Sequence, residues 1–513
     1  EVYRRYQGAL RRRSQVDFDD QVLETTMLFV REPGALQAVR RQFRYLFVDE
    51  FQDINRAQWE LVQVLAGDPM ADDRTYLCCV GDDDQSIYGF RGAHPDFVGE
   101  FSRRYEPRTV VLEDNYRSGR PILEVANRLL REKSWGATKT LRPTAPGDFK
   151  PRVLLGLDPD DEAAQVAAEI GKLAAAGVPL REIAVLYRQN AQSRPFEEVL
   201  LRRQVEHVVV GGLGFYQRPE VQQALAFLRL AWDDHDHEAL TQAAQVTLRY
   251  LKRDLRHEFL HAVEQQGIGV LELPKHLGSL PELPPYGTRA ARELAELIKE
   301  LQGMRRRQPL PVLLDEALAK GGLRKVLESG TRQEDEDKLE NLDELRAALA
   351  SFNAQHPGAG IAEFLGEVQG KAGKPRRDDE AVEGVRLMTL HKAKGLEFRA
   401  VFLAGLEEKR LPHARSIEEG NLAEELRLLY VGVTRAKERL YLSAAEVRYA
   451  GPNDAPRPVL PSRFLQQLAP ELLEGEKDAV EHLLGLRTRA TAKDRMVAKA
   501  VAQSKPSPKP PTT

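Results

Sequence analysis

A short apolar run that ends in two acidic residues is the feature that most constrains the fold of this chain. Tyr45–Val48 combines aromatic and β-branched side chains, which predicts a strand buried on both faces of a parallel sheet. Asp49 and Glu50 follow at its carboxyl end, where open α/β sheets bind their ligands. An acid there can hold the Mg²⁺ that bridges nucleotide phosphates, and its neighbour can orient an attacking water. Since a lone Asp-Glu pair is more often a solvated turn, the interpretation depends on the segments that follow.

Two further apolar runs also end in clusters of polar side chains. Residues 76–80 are followed by GDDDQSIYGFRG at 81–92, which combines acidic, amide, aromatic and arginine side chains. Residues 110–112 are followed by EDNYRS at 113–118. Because the carboxyl ends of parallel strands meet at one edge of a sheet, the three clusters are predicted to share one crevice.

These segments resemble motifs II, III and IV of the UvrD/PcrA/Rep family of superfamily 1A DNA helicases. The matching stretches are DEFQD at 49–53, GDDDQSIYGFRGA at 81–93 and LEDNYRS at 112–118. Two later stretches, VRLMTLHKAKGLEF at 385–398 and LYVGVTRAK at 429–437, resemble motifs V and VI. The five motifs follow the order of the family, and the resemblance covers the chain from about Val16 to Leu473.

The resemblance implies an α/β fold with two RecA-like parallel-sheet motor domains, the first incomplete, and a mostly helical inserted 2B subdomain. Apolar runs that alternate with helical segments also favour a parallel doubly wound sheet in the second motor domain. Its strands are expected at residues 152–155, 183–187, 208–210, 385–390, 400–404 and 439–443.

Six segments are expected along the chain. They are the end of accessory subdomain 1B (1–15), a partial motor domain 1A (16–112), the first part of motor domain 2A (113–217), the helical 2B insertion (218–380), the second part of 2A (381–473) and a disordered tail (474–513).

Composition limits the environment and the partners of the chain. Charged residues make up 30% of the sequence, yet the net charge is only −3, so any nucleic-acid groove must be a local patch. Cys78 and Cys79 are neighbours in an apolar run, which excludes a disulfide framework and fits a reducing compartment. No apolar run approaches the length of a transmembrane helix, so a cytoplasmic protein without membrane contacts is expected.

The sequence contains no G-x-x-x-x-G-K-[ST] loop, whose backbone amides would cradle phosphates. The nearest candidate, GKAGKP at 370–375, lacks the Ser or Thr that would meet Mg²⁺. Because this motif precedes motif II in the family, an N-terminally truncated helicase that hydrolyses ATP poorly or not at all is expected. Two alternatives stay open: the helicase subunit of a repair nuclease complex, and a non-hydrolysing DNA-binding or scaffold protein.

The resemblance places the residues for ATP hydrolysis on both motor domains. Asp49 would bind Mg²⁺, Glu50 would act as general base, and Gln85 would sense the γ-phosphate. Arg117 and Arg435 would be arginine fingers, because a guanidinium binds phosphate oxygens through two donors and stays charged. These groups are expected to converge on one triphosphate.

Nucleotide-binding residues are implied in motifs IV, V and VI. Tyr116 would stack on the adenine of ATP, and Glu397 would meet the ribose. Lys394 and Gly395 lie in the same motif as Glu397, and a glycine there lets the backbone approach a ligand closely. Arg435 would also contact the nucleotide.

DNA contacts are implied in motifs III and V. Tyr88 and Phe90 are candidates for base stacking, with Arg91 for a phosphate, because single-stranded DNA is bound on aromatic faces. His391 would couple the nucleotide and DNA sites. The function implied is an ATP-dependent 3′-to-5′ helicase that acts on single-stranded and duplex DNA in repair or replication, with ATP and Mg²⁺ as cofactors.

Overall fold

The computed structural model describes most of the chain as two compact units. The described residues are 1–72, 74–93, 96–131, 133, 135, 136, 138–330, 332–371, 383–449 and 456–486, and for residues 91, 333 and 369–371 only the backbone is described. Unit 1 comprises Glu1–Asp148 and Arg415–Thr434, and unit 2 comprises Phe149–Ala414 and the chain from Arg435 onward. Most of the stretch 370–375 lies outside the described residues.

Unit 1 combines helices with short parallel strands. Its helices before residue 149 are α1 (Val2–Arg12), α2 (Phe18–Arg31), α3 (Pro33–Gln42), α4 (Arg56–Ala66), α5 (Asp96–Tyr105) and α6 (Arg120–Leu129), and its strands are β1 (Tyr45–Val48), β2 (Tyr76–Cys79), β3 (Asp114–Asn115) and β4 (Arg142–Pro143). Strand β1 pairs with β2 in parallel, and β3 pairs with β4 in the same manner. Asn55 begins α4, and its side chain accepts a hydrogen bond from the amide of Gln58 in a reciprocal capping box.

The prediction that Tyr45–Val48 is buried on both faces is wrong. Val48 of β1 and Leu77 of β2 pack on an aromatic cluster, formed by Phe51, Trp59, Phe97 and Phe101. The alternate side chains of β1, Tyr45 and Phe47, are exposed. Because side chains alternate between the two faces of a strand, one face of this sheet is covered and the other is open.

The prediction of a third strand at residues 110–112 is also wrong. These residues have no strand conformation, and Val110, Val111 and Leu112 are exposed. An apolar run forms a strand only where a neighbouring strand pairs with it and a packed face covers it. The polar cluster at 113–118 is therefore held by the short pair of β3 and β4.

The two cysteines of β2 should differ in reactivity. Cys78 is exposed, whereas burial raises the pKa of Cys79 to about 12. A thiol with that pKa is only ~0.01% thiolate at pH 8, and the thiolate is the nucleophile. We expect iodoacetamide at pH 8 to alkylate Cys78 and spare Cys79, as read by fragmentation of the peptide that carries both. Equal modification of the two thiols in the folded protein would contradict this prediction.

Unit 2 contains a six-stranded sheet in which all neighbouring strands are parallel, in the order β5-β10-β9-β6-β8-β7. The strands are β5 (Arg152–Gly156), β6 (Ile183–Tyr187), β7 (His207–Val209), β8 (Val385–Thr389), β9 (Phe398–Leu403) and β10 (Ala436–Ala445), and helices α7 (Pro159–Ala175) and α8 (Ser193–Arg202) join the first three. Every residue of β6 and β8 is buried, as expected for central strands covered on both faces. The sheet confirms the predicted α/β fold.

A helical insertion separates β7 from β8. Its helices are α9 (Pro219–Trp232), α10 (His237–Thr247), α11 (Arg253–Gln265), α12 (Leu273–His276), α13 (Pro285–Met304), α14 (Leu310–Lys320), α15 (Leu323–Glu328), α16 (Gln333–Gln355) and α17 (Ile361–Lys371). One apolar cluster extends through them, from Phe215 to Val368. Among the described helices of the chain, none combines the length and the apolar character that spanning a membrane requires.

The last part of the chain contributes to both units. It contains α18 (Ala414–Glu418), α19 (Leu422–Thr434), the antiparallel pair of β11 (Val447–Tyr449) and β12 (Pro456–Pro458), and α20 (Lys477–Leu483). Helix α19 packs against α6 in unit 1. Residues 113–148 and 415–434 thus lie in the same compact unit as residues 1–112.

The prediction of a disordered tail from residue 474 onward is wrong for its first part. Helix α20 buries Ala479, Val480 and Leu483, and α20 packs against β5. Two turns of helix bring too few apolar residues to stand out against the polar sequence around them. Residues 487–513 lie outside the described residues.

Candidate active site

The two acidic residues after β1 lie in a tight turn that is open to solvent. Glu50 has a φ of 49°, in the left-handed region that residues other than glycine seldom adopt. Its amide donates a hydrogen bond to Asp49 Oδ1 at 2.9 Å. Both carboxylates are exposed. The turn therefore presents two oriented acids at the carboxyl end of β1, where the family resemblance predicts the metal ligand and the general base.

Gln52, a residue without a predicted role, connects this turn to the loop after β2. Its amide nitrogen donates to Glu50 Oε2, and its Oε1 accepts the backbone amide of Asp82 at 2.9 Å. The backbone carbonyl of Gln52 accepts a hydrogen bond from the hydroxyl of Ser86 at 3.1 Å. A Cβ on Gly81 would lie 2.4 Å from Gln52 Oε1, so this contact requires a glycine at 81. One buried amide side chain thus joins motif II to motif III.

Asp84 in this loop is a buried carboxylate held by three donors. It is 1% exposed, and Lys133 Nζ lies 2.6 Å from Oδ1 and 2.8 Å from Oδ2. Lys139 Nζ lies 3.2 Å from Oδ2, and the indole N–H of Trp135 donates to Oδ1 at 3.2 Å. The lysines and the tryptophan come from residues 133–139, a segment without a predicted role. They anchor the loop that starts at Gly81.

Gln85 is fixed by its neighbour Asp82. Gln85 Nε2 donates to Asp82 Oδ2 at 2.8 Å, and Asp82 also pairs with Lys139. Burial alone would raise the pKa of Asp82, but the Lys139 charge and these hydrogen bonds outweigh it, so the pKa is lowered. Asp82 therefore stays ionised and keeps the Gln85 amide oriented.

The aromatic residues of the loop form an edge-to-face pair. The ring centres of Tyr88 and Phe90 are 6.0 Å apart, Tyr88 is half-buried, and Phe90 is 60% exposed. The side chain of Arg91 lies outside the described part of the chain. A Cβ on Gly89 would lie 2.7 Å from a carboxylate oxygen of Glu424 on α19. Phe90 thus presents one aromatic ring to solvent in the position where base stacking was predicted.

Motif IV is held in a turn that leaves Tyr116 exposed and brings Arg117 into contact with α19. Asn115 Oδ1 accepts the amides of Arg117 and Ser118 at 3.0 and 2.9 Å. Tyr116 is 79% exposed, so its ring is open to a planar ligand. Arg117 Nη1 donates to the carbonyl of Thr434, the last residue of α19, at 3.4 Å. The predicted arginine finger therefore contacts the end of the motif VI helix.

Helix α19 also contacts the loop after β2. Arg427 Nε donates to the carbonyl of Ser86 at 2.7 Å, and its guanidinium lies 5.1 Å from the centre of the Trp135 ring. Burial lowers the pKa of Arg427. Arg427 had no predicted role, because nothing in the local sequence indicates a partner that is 341 residues away.

The predicted residues of motif V lie in unit 2, after β8. Gly395 has a φ of 82°, and no heavy atom lies within 4 Å of where its Cβ would be, so backbone conformation accounts for the glycine. His391 and Lys394 are half-buried. Glu397, predicted to meet the ribose, lies 2.6 Å from Lys437 Nζ.

Arg435 also belongs to unit 2 and is enclosed by protein. It is 2% exposed, and its Nη1 donates to the carbonyl of Leu396 at 3.2 Å. Its backbone carbonyl accepts the amide of Phe398 at 2.9 Å, which joins motif VI to motif V. Asp49, Glu50, Gln85, Tyr116 and Arg117 thus lie together in unit 1, whereas Arg435 and the motif V residues lie in unit 2.

Comparisons with known proteins agree with these motifs. Residues 1–106 match the model of the UvrD/REP helicase N-terminal domain, and residues 110–277 and 284–447 match that of the UvrD-like helicase C-terminal domain. The ATP-dependent DNA helicase PcrA of Staphylococcus epidermidis is 34% identical over 479 residues, or 92% of this chain and 64% of that protein. PcrA of Staphylococcus aureus is 34% identical over 498 residues, or 96% of this chain and 67% of that protein. The chain thus spans about two thirds of the length of these relatives, and it belongs to the UvrD-like family of DNA helicases.

Proposed function

We propose that the chain acts as an ATP-dependent DNA helicase or translocase, moving 3′ to 5′ along single-stranded DNA and unwinding duplex DNA in repair or replication. The observation that carries this proposal is the continuous hydrogen-bonded path from Glu50 through Gln52 to the aromatic loop and α19. The 3′-to-5′ direction rests on the resemblance to the UvrD/PcrA/Rep family.

The acidic turn after β1 fits a magnesium-bound nucleotide. Asp49 offers an exposed carboxylate that is oriented through Oδ1. Within the described residues, no group of three or more His, Cys, Asp or Glu side chains is arranged to hold a metal ion. Mg²⁺ needs few protein ligands when it also binds phosphates and water, and when bound it neutralises charge on the phosphates. Asp49 would hold the ion.

The neighbouring side chains would then act on water and on the adenine. Glu50 would take the proton of the attacking water, and the Gln52 amide keeps its carboxylate in place by donating to Oε2. The exposed ring of Tyr116 would stack on the adenine. Arg117 would stabilise charge that develops on the phosphates, because a guanidinium can bind two phosphate oxygens through parallel N–H donors.

Gln52 gives this site a direct connection to DNA binding. It contacts Glu50 on one side and both Asp82 and Ser86 on the other. A shift of Glu50 during hydrolysis would therefore move the loop that carries Phe90. Gln52 is buried and contacts the loop through both its side chain and its backbone carbonyl, so the loop has few ways to move independently of the turn.

Two measurements on the same protein, DNA binding and release of phosphate from ATP, test the proposed function. We expect the chain to bind a single-stranded dT oligonucleotide and to release phosphate faster when the oligonucleotide is present. Partial duplexes with a 3′ tail should be unwound faster than duplexes with a 5′ tail. DNA binding without phosphate release would favour the non-hydrolysing alternative, and failure to bind DNA would contradict both functions.

Phe90, in the loop after β2, gives a separate prediction. Phe90→Ala should weaken binding of the dT oligonucleotide about tenfold, because stacking one base on an aromatic ring contributes roughly 1–3 kcal/mol. Fluorescence anisotropy of a labelled oligonucleotide measures the Kd. Phe43→Ala removes another exposed ring of unit 1, outside the loop, and should leave the Kd unchanged. Equal affinities of Phe90→Ala and the wild type would exclude Phe90 from the DNA site.

A further inference from the structure

Trp135 lies between Asp84, in the loop after β2 (residues 81–92), and Arg427 of α19. Its indole N–H donates to Asp84 Oδ1 at 3.2 Å, and the guanidinium of Arg427 lies 5.1 Å from the centre of its ring. Arg427 in turn donates to the carbonyl of Ser86 at 2.7 Å. The indole thus contacts an acid that lies two residues before Ser86 and a cation that binds Ser86 itself.

The burial of Asp84, Ser86 and Arg427 restricts the position of the Trp135 ring. Asp84, Ser86 and Arg427 are all buried, and Trp135 is half-buried. A cation over an indole contributes more where water is excluded than at an exposed site. Loss of the hydrogen bond from Trp135 would leave the buried charge of Asp84 less well compensated, so this hydrogen bond is favoured. The ring of Trp135 is therefore restricted to one position relative to the loop.

Helix α19 connects Trp135 and Arg427 to Arg117, the predicted arginine finger. Arg427 is on the first half of the helix, and Thr434 at its end accepts a hydrogen bond from Arg117. Arg427 and Thr434 lie on the same helix of 13 residues, so a displacement at Arg427 would be transmitted to Thr434. The Trp135 contact is thus on the route between the loop and the predicted arginine finger.

We propose that Trp135 is a positioning residue for the DNA site: its ring fixes the separation of Asp84 and Arg427 and so holds the loop of Tyr88 and Phe90 against α19. The inference rests on the proposed function for the nature of the ligand, single-stranded DNA. It further assigns Trp135 as the tryptophan whose environment changes when the loop binds DNA.

A second tryptophan–arginine pair provides a matched control. Arg305 lies 5.4 Å from the centre of the Trp232 ring in the helical insertion of unit 2. Arg305 donates to the carbonyls of Ala231 and Trp232, and Trp232 is 53% exposed. This pair makes the same arginine–tryptophan contact but lies in unit 2, whereas the loop after β2 lies in unit 1.

The first test compares DNA affinities of the full chain by anisotropy with a labelled dT oligonucleotide. Trp135→Ala should raise the Kd roughly fivefold or more, from the loss of a desolvated cation–π contact. Trp135→Phe keeps a ring beneath Arg427 and should restore affinity to within about twofold of wild type. Trp232→Ala should bind like the wild type. Wild-type affinity in Trp135→Ala would overturn the proposal.

The second test uses intrinsic fluorescence and does not depend on a destabilised variant. The emission of the wild type should change when dT oligonucleotide is added. Trp135→Phe should lose this change, and Trp232→Phe should keep it. A change that persists in Trp135→Phe would overturn the assignment of Trp135.

Hydrogen exchange separates this inference from the proposed function. The amides of residues 81–92 should exchange faster in Trp135→Ala than in the wild type, and at the wild-type rate in Trp232→Ala. If the wild type fails to bind dT, the proposed function is wrong, while faster exchange in Trp135→Ala still supports positioning of the loop by Trp135. Unchanged exchange in that variant overturns the positioning role whatever the DNA affinity.

Discussion

Glu50→Gln should lower DNA-stimulated ATP hydrolysis by at least about a hundredfold, the usual contribution of a positioned general base. Glutamine keeps an acceptor oxygen for the Gln52 amide that now donates to Glu50 Oε2, so the turn should retain its structure. It cannot take a proton from water. Since slow turnover is expected, phosphate release is best followed with a fluorescent phosphate sensor at micromolar protein concentration.

Two comparisons make the Glu50→Gln result specific. Glu60→Gln changes an exposed glutamate on α4 that pairs with Arg56, and its rate should equal that of the wild type. Binding of the dT oligonucleotide should be the same in all three proteins. Hydrolysis at the wild-type rate in Glu50→Gln would remove Glu50 from the chemistry, even if DNA binding persisted.

Lys133→Ala should lower the free energy of unfolding of unit 1 by about 3 kcal/mol, because breaking a buried ion pair leaves a charge without its partner. Asp84 is almost completely buried, and Lys133 contacts both of its carboxylate oxygens. Urea unfolding in a Trp232→Phe background measures the effect, because the remaining tryptophans, Trp59 and Trp135, both lie in unit 1.

An exposed ion pair in the same unit is the control for Lys133→Ala. Arg11 lies 3.0 Å from Glu24 with both side chains well exposed, and such pairs contribute little. Arg11→Ala should therefore leave the urea midpoint unchanged. Equal midpoints for Lys133→Ala and the wild type would show that Lys139 and Trp135 alone satisfy Asp84.

The parts of the fold that the sequence predicted are those with a local signal. Strands β6 and β8 are continuous apolar runs because both of their faces are covered, and that composition is visible without a structure. Tyr45–Val48 has the same composition, but the cover of a strand comes from distant segments. In the structure Tyr45 and Phe47 remain exposed, and no pattern within four residues could show that.

The candidate site likewise contains residues that their motifs indicate and residues that only the fold reveals. Asp49, Glu50 and Tyr116 were identified from their motifs, and the structure places them on exposed turns. Lys133 and Arg427 escaped prediction because their partners in the loop after β2 are 49 and 341 residues away. Basic residues are common on protein surfaces, so only the fold shows that these two are enclosed and paired.

The open face of the β1–β2 sheet has a consequence for the behaviour of the chain in solution. Within the described residues, β1 and β2 pair only with each other, so their outer edges and the exposed rings of Tyr45 and Phe47 are available to another molecule. Arg44 and Arg74 lie over the Tyr76 ring and oppose such association by charge repulsion. Added salt screens this repulsion, so the tendency of the chain to self-associate and precipitate should increase with ionic strength.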